Sequence, residues 1–426
     1  MSPTGGIINM QIKSIIQRKR TGVALWAPFF SNLWLLCVLN SVVAWFSFSI
    51  YLRLLATIGI VAVTLSRGSY ANLKNKRGAF WACAFFYLWI AIRSANIVGL
   101  TSITINYLSF LLMFLWPASL MKDSYKFFRY IVLFFAVGSS ILTILSIMGL
   151  TSPIPHFEMP AQSALHANRD DFYYVYGIFP ELRFGNEALT RACGMMQEPG
   201  HFAVILGFVY ILDRITHTRI NPILFVAAVL TFSSNFFFAV LFIEAINLYR
   251  NYIRVLRWTL ALLIGGFVIY YSLPSNIREL FYYMAYERNF VQAEETYSSS
   301  GSLTSLLDDR ANELGISTYE MMSFEEKMVG KAVDREIVLS DYRGMVLRFG
   351  WVALILSLIA LFAASSGLKK SYRIPVLLFL ALVLLHRSWM FNPPYMYYFT
   401  MLSVVLYKYE KDSKTIVKKV DSLHLS

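Results

Sequence analysis

Apolar residues dominate this chain in runs near 25–44, 46–65, 79–98, 102–120, 128–150, 200–212, 221–232, 234–249, 258–273, 344–365, 374–386 and 394–407, separated by short polar segments. Runs that offer water no polar face predict helices buried on all sides, in protein or in lipid. The pattern predicts an all-α polytopic membrane protein with about 12 transmembrane helices. Several runs are shorter than the ~17 residues a span needs, which leaves the count open by two or so. Two long polar segments interrupt the series, 151–199 and 274–343. The first is rich in Pro, Tyr and acids. The second has helical patterning over Leu303–Leu314 and Tyr319–Leu339, which predicts a small helical cap. Residues 1–426 thus read as one integral membrane domain carrying two large loops.

Composition agrees, with 57% hydrophobic and only 15% charged residues. Charge placement supplies an orientation. The segments 13–20, 67–77, 122–129, 214–219, 250–257, 369–373 and 408–419 hold 24 of the 38 basic residues. Basic residues in short loops mark the cytoplasmic side, so both termini are expected in the cytoplasm and both long loops outside. The net charge of +13 is then mainly orientation bias, and a nucleic-acid surface is not expected. No small-residue cleavage site follows the basic N-terminal stretch, so the first apolar run reads as a retained helix. Cys37 and Cys83 lie within apolar runs and Cys193 is alone outside, so the three cysteines form no framework.

The remaining 14 basic residues include 12 arginines. A guanidinium matches phosphate oxygens in pairs, whereas lysine suffices for orientation. Arg53 falls inside the second run, Arg93 near the outer end of the third, Arg343 and Arg348 at the start of the tenth, and Arg387 at the end of the eleventh. A charge within a span costs about 2.5–3.5 kcal/mol on insertion scales, so it faces a polar cavity or a partner. With Arg191, these residues suggest an arginine-lined pocket at the outer membrane surface, suited to a lipid-linked phosphate or diphosphate. The alternative is that they snorkel to headgroups or pair with loop acids. Glu244, near the cytoplasmic end of the eighth run, is expected to snorkel inward.

One segment concentrates the candidate chemistry: Arg191-Ala-Cys-Gly-Met-Met-Gln-Glu198-Pro199-Gly200-His201-Phe-Ala, leading into the run at 204–212. Pro199 suits the first position of a helix, which puts Glu198 at the cap and His201 one turn inside. Glu198 is a candidate general base or acceptor-orienting group, or else a cap for backbone N–H groups. His201 is its helper or rival, or an interfacial histidine. His386, beside Arg387, is a second candidate base; His156 and His166 have no motif around them. No dense Asp/Glu/His cluster has metal-ligand spacing, and neither a metal nor a cofactor is expected. The aromatic clusters Phe172–Tyr176, Phe281–Tyr286 and Tyr395–Tyr398 suit sugar stacking or an interfacial belt.

The motif Arg191-x-x-Gly194 with Glu198-Pro199-Gly200-His201-Phe202-Ala203 resembles the signature of Wzy-type O-antigen and capsule repeat-unit polymerases. Leu230-Thr231-Phe232-Ser233-Ser234 resembles the family's short turn between the next two helices. Asp341-Tyr342-Arg343-Gly344, followed by Phe349-Gly350, resembles its re-entry after the second large loop. Some members carry Arg-x10-Gly in both loops. Here Arg183 and Gly194 satisfy it in the first, and no arginine does in the second.

The resemblance implies a GT-C-like membrane glycosyltransferase with two large periplasmic loops in the bacterial inner membrane. Its activity would be metal-independent transfer of a growing glycan from polyprenyl diphosphate to an incoming lipid-linked repeat unit, for O-antigen or capsule. The implied partners are an undecaprenyl-diphosphate-linked oligosaccharide, the lipid bilayer and a chain-length regulator. Arg191, Arg343, Arg348, Arg53, Arg93 and Arg183 would hold diphosphate or substrate, and Glu198, His201 or His386 would carry the proton. An O-antigen ligase, transferring polymer to lipid A core, and a lipid-linked sugar transporter (flippase) share much of this plan. Transporters, however, usually show related halves and interrupted midplane helices.

Overall fold

The computed structural model describes residues 22–39, 41–45, 48–73, 76–93, 97–160, 172–183, 190–217, 219–250, 313–331, 341–386 and 394–424, with isolated positions between. Every apolar run carries a helix except 258–273, which lies almost wholly outside the described residues. After a turn at Gly22–Leu25 come α1 (Ala27–Val38), α2 (Ser49–Arg67), α3 (Arg77–Arg93), α4 (Ile97–Met113) and α5 (Ala118–Ile147). Beyond the first long segment follow α6 (Pro199–Ile215), α7 (Ile223–Leu230) and α8 (Asn235–Arg250). The second long segment contains α9 (Glu313–Glu320) and α10 (Phe324–Val329), and α11 (Tyr342–Ala364), α12 (Lys370–His386) and α13 (Tyr395–His424) complete the chain.

Three of these helices, α2, α5 and α11, are long and apolar enough to cross a membrane. The protein is therefore mostly helical, with the apolar helices of a membrane-embedded chain.

The all-α expectation fails in the first long segment, which forms a four-stranded antiparallel sheet in sequential order: β1 (Phe157–Pro160), β2 (Phe172–Tyr176), β3 (Phe179–Arg183) and β4 (Thr190–Ala192). The cause is local, since Phe-Tyr-Tyr-Val-Tyr is rich in residues that favour a pleated surface. Gly177 at φ 66° permits the two-residue turn that pairs Tyr176 with Phe179. One sheet face buries Tyr173, Val175, Leu182 and Cys193 together. The other lies on the end of α5: Thr143 donates to Glu181 at 3.0 Å, and the Ser146 and Thr190 hydroxyls are 3.0 Å apart.

Helix α6 is the central element, buried along its whole length except at Arg214. It packs against α5, α7, α8, α12 and α13. Its polar residues are confined to its ends. At the far end Asp213, fully buried, accepts from Tyr125 and from Arg129 Nε at 3.0 Å. Arg214 pairs with Glu244, which also accepts from Tyr210 at 2.6 Å. Glu244 therefore finds protein partners where snorkelling is expected from its position in the run.

The aromatic cluster at Tyr395–Tyr398 also differs from expectation. Tyr397 and Tyr398 are fully buried, and Tyr397 donates to Ser357 at 2.7 Å, so they belong to the core rather than to a belt or a sugar platform.

Candidate functional site

At the near end of α6 the motif segment folds into a compact turn. Pro199 takes the first helical position, where its missing N–H costs no bond, and Glu198 takes the N-cap with extended backbone. The Glu198 side chain makes no capping hydrogen bond. Its carboxylate instead lies 3.2 Å from His201 Nε2, with the Glu198 side chain 24% exposed and that of His201 only 2%. A carboxylate that reaches solvent with an imidazole sealed behind it can take up a proton, which leaves the pair neutral overall.

Gly194 sits at φ 60°, and a Cβ there would lie 2.4 Å from the ring of Phe202. The glycine of Arg191-x-x-Gly194 is thus required both by conformation and by the close approach of α6. Ser41, just past α1, forms a single antiparallel bridge to Met196 and ties the segment to the start of the chain.

Arg191 projects from β4 toward α7. Its Nε donates to Thr231 O at 2.9 Å and its Nη2 to Phe232 O at 3.1 Å. These carbonyls end α7, a helix of eight residues that rises only ~12 Å and so turns back within the bundle. Phe232 holds φ 47°, a strained value for a bulky side chain, in the turn that Arg191 clamps. Asn235, opening α8, donates from Nδ2 to Gly200 O at 3.2 Å and joins the hairpin to the start of α6. The Thr231–Asn235 turn is therefore tied to the Arg191–His201 motif at both of its ends.

A second neighbourhood forms where α11 begins. Asp341 is its N-cap and accepts from the backbone N–H of Arg343 at 2.7 Å. The Arg343 guanidinium folds back on the same carboxylate, with Nη2 at 2.7 Å and Nε at 3.1 Å. Both side chains are buried, so the pair is internally neutral.

Seven residues on, α11 breaks at Gly350, φ 79° and ψ 170°. The carbonyls freed near the break find donors: Trp89 Nε1 reaches Phe349 O at 2.8 Å, and the Lys331 amide reaches Leu347 O at 2.7 Å. Arg93 Nη2 donates to Gly330 O at 2.6 Å. Arg348 is exposed at this break, and among the described residues no partner meets its guanidinium. Among the described residues Arg93 Nε is likewise without a hydrogen-bond partner.

The arginines expected to line a single pocket thus differ in what holds them. Arg53 donates to Cys37 O at 3.1 Å and Arg191 holds the turn after α7, whereas Arg93, Arg343 and Arg348 surround the start of α11. Both groups lie toward the end of the bundle opposite Asp213 and Glu244. Arg183 lies on β3 opposite Thr190, and His386 is the last residue of α12. The His156 ring lies tilted against those of Tyr174 and Tyr176. His166, Arg387 and all of the Phe281–Tyr286 cluster except Tyr282 lie outside the described residues.

Sequence reasoning assigned no role to Asp341, Trp89 or Gly330. An aspartate two residues before an arginine at a helix start was a readable cap signal. The other two have none, because their partners are distant in sequence. Among the described residues no group of three or more His, Cys, Asp or Glu is placed to hold a metal ion.

Compared with known proteins, the chain matches no protein-family profile, no curated protein and no solved structure.

Proposed function

We propose that this protein is an oligosaccharide repeat-unit polymerase of the bacterial inner membrane, with about 12 spans, cytoplasmic termini and two periplasmic loops. The observation that carries this is the Glu198–His201 pair at the head of the buried helix α6: the carboxylate stands at a helix start without capping it. Glu198 accepts the proton of the acceptor hydroxyl as that oxygen bonds to the anomeric carbon. The bond from that carbon to the polyprenyl diphosphate breaks in the same step. His201, behind the carboxylate, balances its negative charge when protonated.

The departing diphosphate needs cations with donors to spare. Arg191 and Arg343 have donors engaged by Thr231 and Phe232 and by Asp341, so they build the scaffold, and we assign the leaving group to Arg348 with Arg93.

A deletion strain complemented with Glu198→Gln or Arg348→Ala tests this on a lipopolysaccharide gel. Expected is loss of the ladder with one repeat unit still attached to core, while both variants accumulate normally. An intact ladder with both variants would overturn the assignment. Loss of every repeat in the deletion strain would point instead to the ligase or the transporter.

A further inference from the structure

The segment around α10 is fastened to the break in α11 backbone against backbone. A Cβ on Gly330, at φ 86°, would lie 2.5 Å from Arg348 O, and one on Gly350 would lie 2.2 Å from Met328 O. With the Lys331 amide on Leu347 O and Arg93 on Gly330 O, this leaves α10 no freedom to swing away. Six helical residues rise only ~9 Å, so the start of α10 stands within roughly 10 Å of the break. Beyond the break, α11 turns Ile355, Leu358, Ile359 and Phe362 outward, the row a membrane helix presents to lipid.

The turn from α9 to α10 has an inner and an outer side. Met322 is buried in a cluster with Leu339 and Leu347. Its neighbours Met321 and Phe324 are 84% and 79% exposed. Leu65 and Tyr70, at 83% and 81%, are their equals, and those two stand where the apolar helix α2 ends. The capping box of Ser323 and Glu326 fixes the turn, so the outward direction of Phe324 is built in.

We propose that the α9–α10 turn is an interfacial anchor: Met321 and Phe324 insert into the lipid surface at the end of the bundle where α11 begins. The occupant is lipid because α10 is pinned at the break in α11, only ~7.5 Å along that helix from Ile355, where its lipid-facing row begins. The inference rests on membrane embedding and is independent of the proposed glycosyl transfer. Its consequence is that the second long segment is held at a fixed height over the bilayer, with Lys327 and Lys331 at headgroup depth.

Cys37, Cys83 and Cys193 are buried, so one introduced cysteine takes up label selectively. Met321→Cys, Phe324→Cys and, as reference, Glu320→Cys are labelled with nitrobenzoxadiazole and placed singly in nanodiscs. Nitroxide lipids should quench the labels at 321 and 324 at least about threefold more than that at 320, with iodide quenching in the reverse order. Iodide quenching equal at all three positions, without nitroxide quenching, would overturn the proposal. So would protection seen only in discs holding two copies, which would mean contact between copies. Two label sites keep the test valid if one substitution disturbs the turn.

Discussion

Replacing Arg191 by alanine separates two roles open to a basic residue in the motif. If the guanidinium is a clamp, its loss leaves the carbonyls of Thr231 and Phe232 without donors at the end of α7. A hydrogen bond to a charged group is worth ~1.5–3 kcal/mol. Arg191 is 8% exposed, so a water can partly replace it, and the lower value applies. Two bonds then give ~3 kcal/mol. A shift of ~2–4 °C per kcal/mol holds for chains of 150–250 residues and less for longer ones, so the unfolding temperature should fall by about 5 °C. Lysine keeps the charge but cannot span two carbonyls, so Arg191→Lys should lose roughly half as much. The assay is thermal unfolding of both variants beside wild type and Glu198→Gln in matched nanodiscs, with Glu198→Gln expected to melt normally. If Arg191→Ala melts within about 1 °C of wild type yet loses activity, the clamp is refuted and Arg191 becomes a ligand for the diphosphate.

Gly350→Ala places a Cβ against Met328 O in a backbone region open only to glycine, and should cost at least ~2–3 kcal/mol. Trypsin should then cut faster at Lys327 or Lys331, and unchanged cleavage would count against the backbone lock. Asp341→Ala strands the buried Arg343 and should destabilise by ~3–5 kcal/mol, whereas the double variant with Arg343→Met should recover part of the loss. Additive losses in that cycle would refute the pair. Burial pushes the Cys193 thiol well above its usual range, so a maleimide should fail to label it at pH 8 in the folded protein and should label it after denaturation. Rapid labelling of the native protein would contradict the packing of the sheet.

The motif's local geometry could be read because its determinants are neighbours in the chain. Proline at the first helical position and glutamate at the cap follow from Glu198-Pro199 alone. The β-sheet is not legible although Phe172–Tyr176 carries strand residues, since in a chain so apolar the same aromatics suit an interfacial belt or a sugar platform. What holds each arginine could not be read. Each guanidinium's partner is a backbone carbonyl or a carboxylate brought near by folding, as with Arg93 and Gly330, and a carbonyl has no signature in sequence.

By itself the sequence determined where the apolar helices lie, which end carries the motif, and that Glu198 opens α6. Hydrophobic runs and helix starts are set by residues within a few positions of one another. Only the tertiary structure decided which charges are spent and which are available: Arg191 on the α7 turn, Arg343 on Asp341, Arg348 with no partner among the described residues, and Glu198 against His201 rather than its own helix. Hydrogen-bond donors are satisfied by whatever the fold brings within about 3 Å, and that distance is a property of the packed chain.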